Sequence, residues 1–145
     1  IRQKTASLIA SCCAVGAESS GASEEVVKTM RLFGEKIGMA FQIKDDLFDY
    51  GEEEVGKPLG IDIKEKKMTL PLIHALGKAS WLERRRIMSI VRNESSKPKK
   101  VKEVIDFVKQ SGGLVYAQGV MNQFHQEALA LVKDLPDTNY KRSLI

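Results

Sequence analysis

The sequence predicts an all-α fold. Apolar residues recur at three- and four-residue spacing in one stretch after another, no stretch sustains the alternation of a strand, and no Asn-Gly or Asp-Gly hairpin turn occurs. With 145 residues, 43% hydrophobic and 29% charged, the chain suits one globular domain that buries a core without disulfides.

The elements follow in order. Residues 2–18 carry Ala6, Ile9, Ala10, Cys13 and Ala17 at helical spacing, and their small side chains let another helix come close. Gly21 is positioned to stop this helix. Ser23 is a good N-cap, because its hydroxyl can accept from a free backbone N–H, and Glu24 and Glu25 then suit the positive end of the dipole. A long helix is expected over residues 24–49, burying Val27, Met30, Phe33, Ile37, Phe41 and Phe48. Gly34 and Gly38 lie one turn apart within it. Each costs about 1 kcal/mol relative to alanine, so the pair implies close approach by another helix or a ligand.

Residues 50–68 read as a polar, glycine-containing loop, long enough to suggest function. Helices resume over 70–78, 81–93, 98–110, 113–134 and 137–145, with Pro71 in a first turn, Asn93 to Pro98 as a surface turn and Gly112-Gly113 as a break. Trp81 and Met88 read as packing residues. His74 and His125 lack metal-ligand spacing and read as structural or surface residues.

The adjacent Cys12 and Cys13 have no second pair to build a framework or a zinc site. They read as small buried side chains in a reducing, cytoplasmic compartment. No stretch has the length of a membrane-spanning helix. The opening IRQKTASL lacks a secretory pattern and reads as a helix already under way, so a missing part is expected N-terminal to it. The net charge of +4 gathers at Arg84, Arg85, Arg86 and at Lys97, Lys99, Lys100 and Lys102. No nucleic-acid motif accompanies these residues. They read as a solvated helix face and loop, with peripheral contact to acidic lipid headgroups or a partner as the alternative.

Chemistry concentrates in Phe41-Gln-Ile-Lys-Asp-Asp-Leu-Phe-Asp49. On a helix, Gln42, Asp45, Asp46 and Asp49 stand at i, i+3, i+4 and i+7, along one stripe. Like charges at this spacing repel, and the more so when partly buried among apolar neighbours, so the cluster calls for a cation. Oxygen-only ligands select a hard ion, and magnesium suits a site that also holds phosphate oxygens. An exposed acidic helix end is the alternative reading. Downstream lie Gly56-Lys57, Gly60-Ile-Asp62 and Lys67-Met-Thr69-Leu70-Pro71; upstream lies Lys4-Thr5. Lysines facing a carboxylate-bound cation would hold a diphosphate between them.

This ordered set, Lys4-Thr5-Ala6, Phe41-Gln42, Asp45-Asp46-x-x-Asp49, Gly56-Lys57, Gly60-x-Asp62 and Lys67-x-Thr69-Leu70-Pro71, resembles the trans-isoprenyl (polyprenyl) diphosphate synthases. It is most similar to their medium- to long-chain branch, such as octaprenyl diphosphate synthase, and continues to Leu135-Pro136. The resemblance implies an antiparallel helical bundle of the isoprenoid synthase type around a deep cavity. Residues 1–145 would supply the C-terminal half of that single domain, its N-terminal half missing.

It further implies a Mg2+-dependent prenyltransferase that condenses isopentenyl diphosphate with an allylic diphosphate. Asp45, Asp46 and Asp49 would bind metal. Lys4, Lys57 and Lys67 would contact the allylic diphosphate, Thr5 and Gln42 would lie near the allylic cation, and Phe41 would shape the floor near isopentenyl diphosphate. A homodimer is the family's usual state. Many members carry glycine at the position of Lys66. The family's first aspartate-rich motif and its isopentenyl diphosphate ligands, which precede Lys4, are not in this chain, so the chain alone is expected to be inactive. Residues that set product length are missing with them. Two alternatives stand beside the enzyme: a non-catalytic subunit or interaction module of a hetero-oligomeric synthase, and a terpenoid cyclase, which the Lys57 and Lys67 pattern disfavours.

Overall fold

Residues 2–51 and 59–144 are described by a computed structural model. A π-helical turn, Arg2–Ala6, leads into α1 (Ser7–Ser19). Then come α2 (Glu24–Phe48), α3 (Ile61–Lys64), α4 (Leu70–Lys78), α5 (Trp81–Asn93), α6 (Pro98–Gln110), α7 (Gly113–Val132) and α8 (Asn139–Leu144). Among the described residues there is no strand, as the spacing predicts.

The chain divides into two compact units, Ile1–Gln42 with Val120–Ile145, and Ile43–Gly119. In the first, Ala6, Ala10 and Ala14 of the N-terminal helical run are buried. A Cβ on Gly34 would stand 2.8 Å from the Ala10 Cα, and one on Gly38 would stand 2.6 Å from the Ala6 Cα. The two glycines therefore admit the backbone of a neighbouring helix, which accounts for a residue type that otherwise weakens a helix. Phe33, Ala128 and Val132 form the core here, with Cys13, Met30, Ile37, Leu131 and Leu135 packed on it. Lys36 pairs with Glu127 and stands over the Phe124 ring, joining α2 to α7.

The second unit is built on α4, α5 and α6, whose inward residues include Leu72, Leu76, Ile87, Ile90, Val91, Val104 and Val108. α5 starts where the Ser80 hydroxyl accepts the Glu83 N–H, a cap that satisfies one of the free donors of the first turn. Within the expected loop over 50–68, α3 is an addition. It begins at Gly60, whose φ of 73° is left-handed and whose missing Cβ would strike Val101 Cγ1 at 2.2 Å. Only glycine meets both demands there.

Four expectations about burial are corrected. Phe41 is 59% exposed and Phe48 47% exposed, while Ala40 and Ile43 take buried positions. Stepping by four residues drifts about 40° around a helix at each step, so a run counted from Phe33 leaves the inward face by Phe41. Cys12 is exposed and only Cys13 is partly covered, its thiol pushed up by burial and then by Cys12. Trp81 does not pack inward but lies exposed beneath Arg85. Conversely, the turn between α5 and α6 buries Ser95, whose hydroxyl donates to the Lys64 carbonyl at 3.4 Å. His74 stacks on Tyr116 with ring centroids 3.9 Å apart, a packing role. No helix of the described residues is long and apolar enough to cross a membrane.

Candidate functional site

The acidic end of α2 is not a row of equivalent carboxylates. Asp45 is exposed, while Asp46 and Asp49 are 7% and 9% exposed. Asp49 is held by the turn that follows. Its Oδ1 accepts the Ile61 N–H at 2.7 Å and its Oδ2 accepts the Asp62 N–H at 3.0 Å, and its backbone carbonyl accepts the Gly60 N–H at 3.0 Å. The carboxylate therefore satisfies the free donors that open α3. Burial raises the Asp49 carboxyl above its ordinary value, against the Ile61 N–H, which pulls the other way.

Asp62, placed by this turn, holds Lys67. The Lys67 ammonium lies 3.0 Å from Asp62 Oδ1 and 2.7 Å from Glu65 Oε2, and the Lys67 N–H donates to the Asp62 carbonyl at 2.8 Å. Hydrogen bonds to Glu65 and then Asp62 raise the ammonium above its ordinary value, so it stays charged. It is exposed, so a negatively charged ligand can reach it. Lys66, beside it, has a φ of 58°, a left-handed conformation that strains a side chain.

Beneath the exposed groups, Tyr50 and Thr69 are buried and their hydroxyls share a hydrogen bond of 2.6 Å. Burial pushes the Tyr50 phenol above its ordinary value. This bond fastens the residues after α2 to the residue before α4. Tyr50, Asp62 and Glu65 are the residues that sequence reasoning left without a role. The Asp62–Lys67 separation of five matches no helical or strand pairing rule, and a tyrosine carries no spacing signal at all.

In the other unit, Thr5 Oγ1 donates to Gln42 Oε1 at 2.9 Å. Two residues remote in sequence are thus brought together. Lys4 is exposed. Lys57 lies outside the described residues.

Among the described residues, no group of three or more His, Cys, Asp or Glu side chains is gathered to hold a cation unaided. The oxygen-only donors at Asp45, Asp46 and Asp49 nevertheless fit a hard cation whose remaining ligands come from phosphate and water. Asp49 keeps spare capacity, since a carboxylate has about four acceptor positions and two take N–H groups.

Helices throughout, with a carboxylate-rich helix end tied to a lysine-bearing turn, define an isoprenyl diphosphate synthase type of fold. A solved structure bears this out: geranylgeranyl pyrophosphate synthase from Corynebacterium glutamicum, complexed with calcium and isoprenyl diphosphate. It is similar with a TM-score of 0.85 and 34% identity, over 99% of this chain and 45% of that one. The chain belongs to the polyprenyl synthetase family, whose model matches residues 1–108. It is 35% identical to heptaprenyl diphosphate synthase component 2 of Geobacillus stearothermophilus, over 100% of this chain and 44% of the relative. It is 37% identical to a short chain isoprenyl diphosphate synthase of Methanothermobacter thermautotrophicus, over 99% of this chain and 44% of the relative. The chain thus spans less than half the length of these relatives.

Proposed function

We propose that residues 1–145 are the C-terminal half of a polyprenyl synthase domain, and that the complete protein condenses isopentenyl diphosphate with an allylic diphosphate to make a trans-polyprenyl diphosphate. The observation that carries this reading is the chain of contacts from Asp49 through Asp62 to Lys67. It couples a metal-type carboxylate to a diphosphate-type cation in one local structure.

In this reading Asp45, Asp46 and Asp49 would hold Mg2+, directly or through water, a hard ion suited to a site that also binds phosphate oxygens. When bound, the ion neutralises the negative charge of the diphosphate. Lys4, Lys57 and Lys67 serve as point charges for diphosphate oxygens. The allylic C–O bond breaks and its electron pair leaves with the diphosphate. The isopentenyl double bond then forms the new C–C bond, and a proton is lost to restore a double bond. Charge on the leaving group is what these lysines offset, the kind of effect that usually dominates catalysis. The Thr5–Gln42 pair presents oxygen dipoles toward the allylic cation, and the exposed Phe41 shapes the floor for isopentenyl diphosphate.

A second reading rests on one relative's name. A synthase "component 2" works with another component, which favours a hetero-oligomer over the homodimer expected from the family at large. Product analysis of the complete protein, given magnesium, farnesyl diphosphate and labelled isopentenyl diphosphate, tests the proposal. An acyclic trans product five carbons longer, or a multiple of that, is expected. A cyclic hydrocarbon would contradict the synthase reading. Product formed only after a second polypeptide is added would favour the two-component enzyme.

A further inference from the structure

The basic stretch in α5 does more than face solvent. Ile87, Ile90 and Val91 turn inward. At 3.6 residues per turn, Trp81, Arg85, Ser89 and Arg92 fall on the opposite face, with Leu82 beside them. The one acidic residue of α5, Glu83, is exposed but stands off this face, about 100° around the helix beyond Leu82. Trp81 is 67% exposed and Leu82 73% exposed, and the Arg85 guanidinium stands 5.3 Å from the Trp81 ring centroid. Arg86 is engaged with Glu103 at 3.2 Å, but Arg84, Arg85 and Arg92 have no carboxylate partner among the described residues. Lys78, exposed at the end of α4, adds a charge just before Trp81.

We propose that this outer face of α5 is a docking surface for an anionic lipid bilayer. The proposal does not depend on the catalytic reading. A tryptophan with an apolar body and a polar edge settles at headgroup depth, a neighbouring leucine reaches the acyl boundary, and unpaired arginines meet headgroup phosphates. The charge is complementary to an anionic surface and no carboxylate on the face opposes it. A protein partner is the poorer match. A stable protein interface covers about 800 Å² per side, and one helix face offering two apolar side chains supplies too little. Two apolar residues also hold a membrane weakly alone, so binding requires anionic lipid and yields to salt.

Trp81 is the one tryptophan of residues 1–145, and its emission, read as the difference between the parent and Trp81→Phe, reports on this surface. The complete protein is mixed with phosphatidylcholine vesicles, with or without about 30% phosphatidylserine. Expected are co-sedimentation and a blue-shifted emission with the anionic vesicles only, both reversed by ~0.5 M salt. Arg85→Glu with Arg92→Glu lowers vesicle affinity at least about 25-fold, roughly fivefold for each charge. Leu82→Ser lowers it several-fold, and both variants keep the parent's thermal unfolding curve. Three results overturn the proposal: no binding; binding with unshifted emission and no response to these variants, which would place contact elsewhere; or a shift that grows with protein concentration without vesicles, which would make this face a contact between copies.

Discussion

Lys66 carries a backbone strain that a single substitution removes. Its left-handed φ of 58° costs a side chain about 1–2 kcal/mol, whereas glycine adopts it freely. Glycine also loosens the unfolded chain by about 0.4–1 kcal/mol, so Lys66→Gly is expected to stabilise the chain by on the order of 0.5–1 kcal/mol. Urea unfolding checks it, and a lower midpoint would contradict the assigned strain. Tyr50 makes the opposite case. Tyr50→Phe leaves the buried Thr69 hydroxyl without its partner, a loss of about 1–3 kcal/mol. Adding Thr69→Val should recover part of that loss, which a double-mutant cycle reads directly. The phenol also sets a pH dependence. An unfolded tyrosine sheds its proton near pH 10, but burial keeps the folded one protonated above that. Stability from this group is therefore full below about pH 10 and falls as pH rises beyond it. Tyr50→Phe should flatten that alkaline decline in unfolding measurements; an unchanged decline would assign it to other groups.

At the scale of elements, helix packing turns on where a Cβ can fit. Gly38→Ala places a methyl 2.6 Å from the Ala6 Cα, so helices must part or bend, at about 1–3 kcal/mol. At Gly16 of α1 an added methyl would meet nothing within 4 Å, and Gly16→Ala should stabilise by up to about 1 kcal/mol. Opposite shifts in melting temperature for these two alanines would verify the packing; equal shifts would refute it. Helix boundaries from α4 to α6 were legible because Pro71, Pro98 and Gly112 punctuate clear apolar periods. α3 was not legible, since four residues hold no period and its start depends on Asp49, remote along the chain. The exposure of Phe41, Phe48 and Trp81 was equally hidden: composition marks a side chain as apolar but not which neighbour covers it. For the site, residue types and order were readable from the motifs, while the bonds joining Asp49, Asp62 and Lys67 needed three dimensions.

For the whole molecule, on the proposed reading, the chain is one part of a larger catalytic arrangement. On that reading its lysines and carboxylates serve diphosphate binding, and the first aspartate-rich motif expected from the family lies outside residues 1–145. The 145-residue chain by itself should therefore release no diphosphate from an allylic substrate and isopentenyl diphosphate, and steady release would contradict that. Asp62→Asn in the complete protein should raise the KM for the allylic diphosphate more than it lowers kcat, because it removes one of the two carboxylates that position Lys67 and leaves only Glu65. A purely structural role for Asp62 would instead lower thermal stability and leave KM alone.

The central claim is that the end of α2 is the metal-binding half of a prenyltransferase site. Turnover of the complete protein with farnesyl diphosphate and labelled isopentenyl diphosphate, measured against magnesium concentration with and without Asp45→Ala, tests it most directly. The expected result is magnesium-dependent elongation that falls about a hundredfold or more in the variant, whose exposed side chain has no part in the core. Elongation that is indifferent to both magnesium and Asp45, in a variant that folds as the parent does, would contradict it.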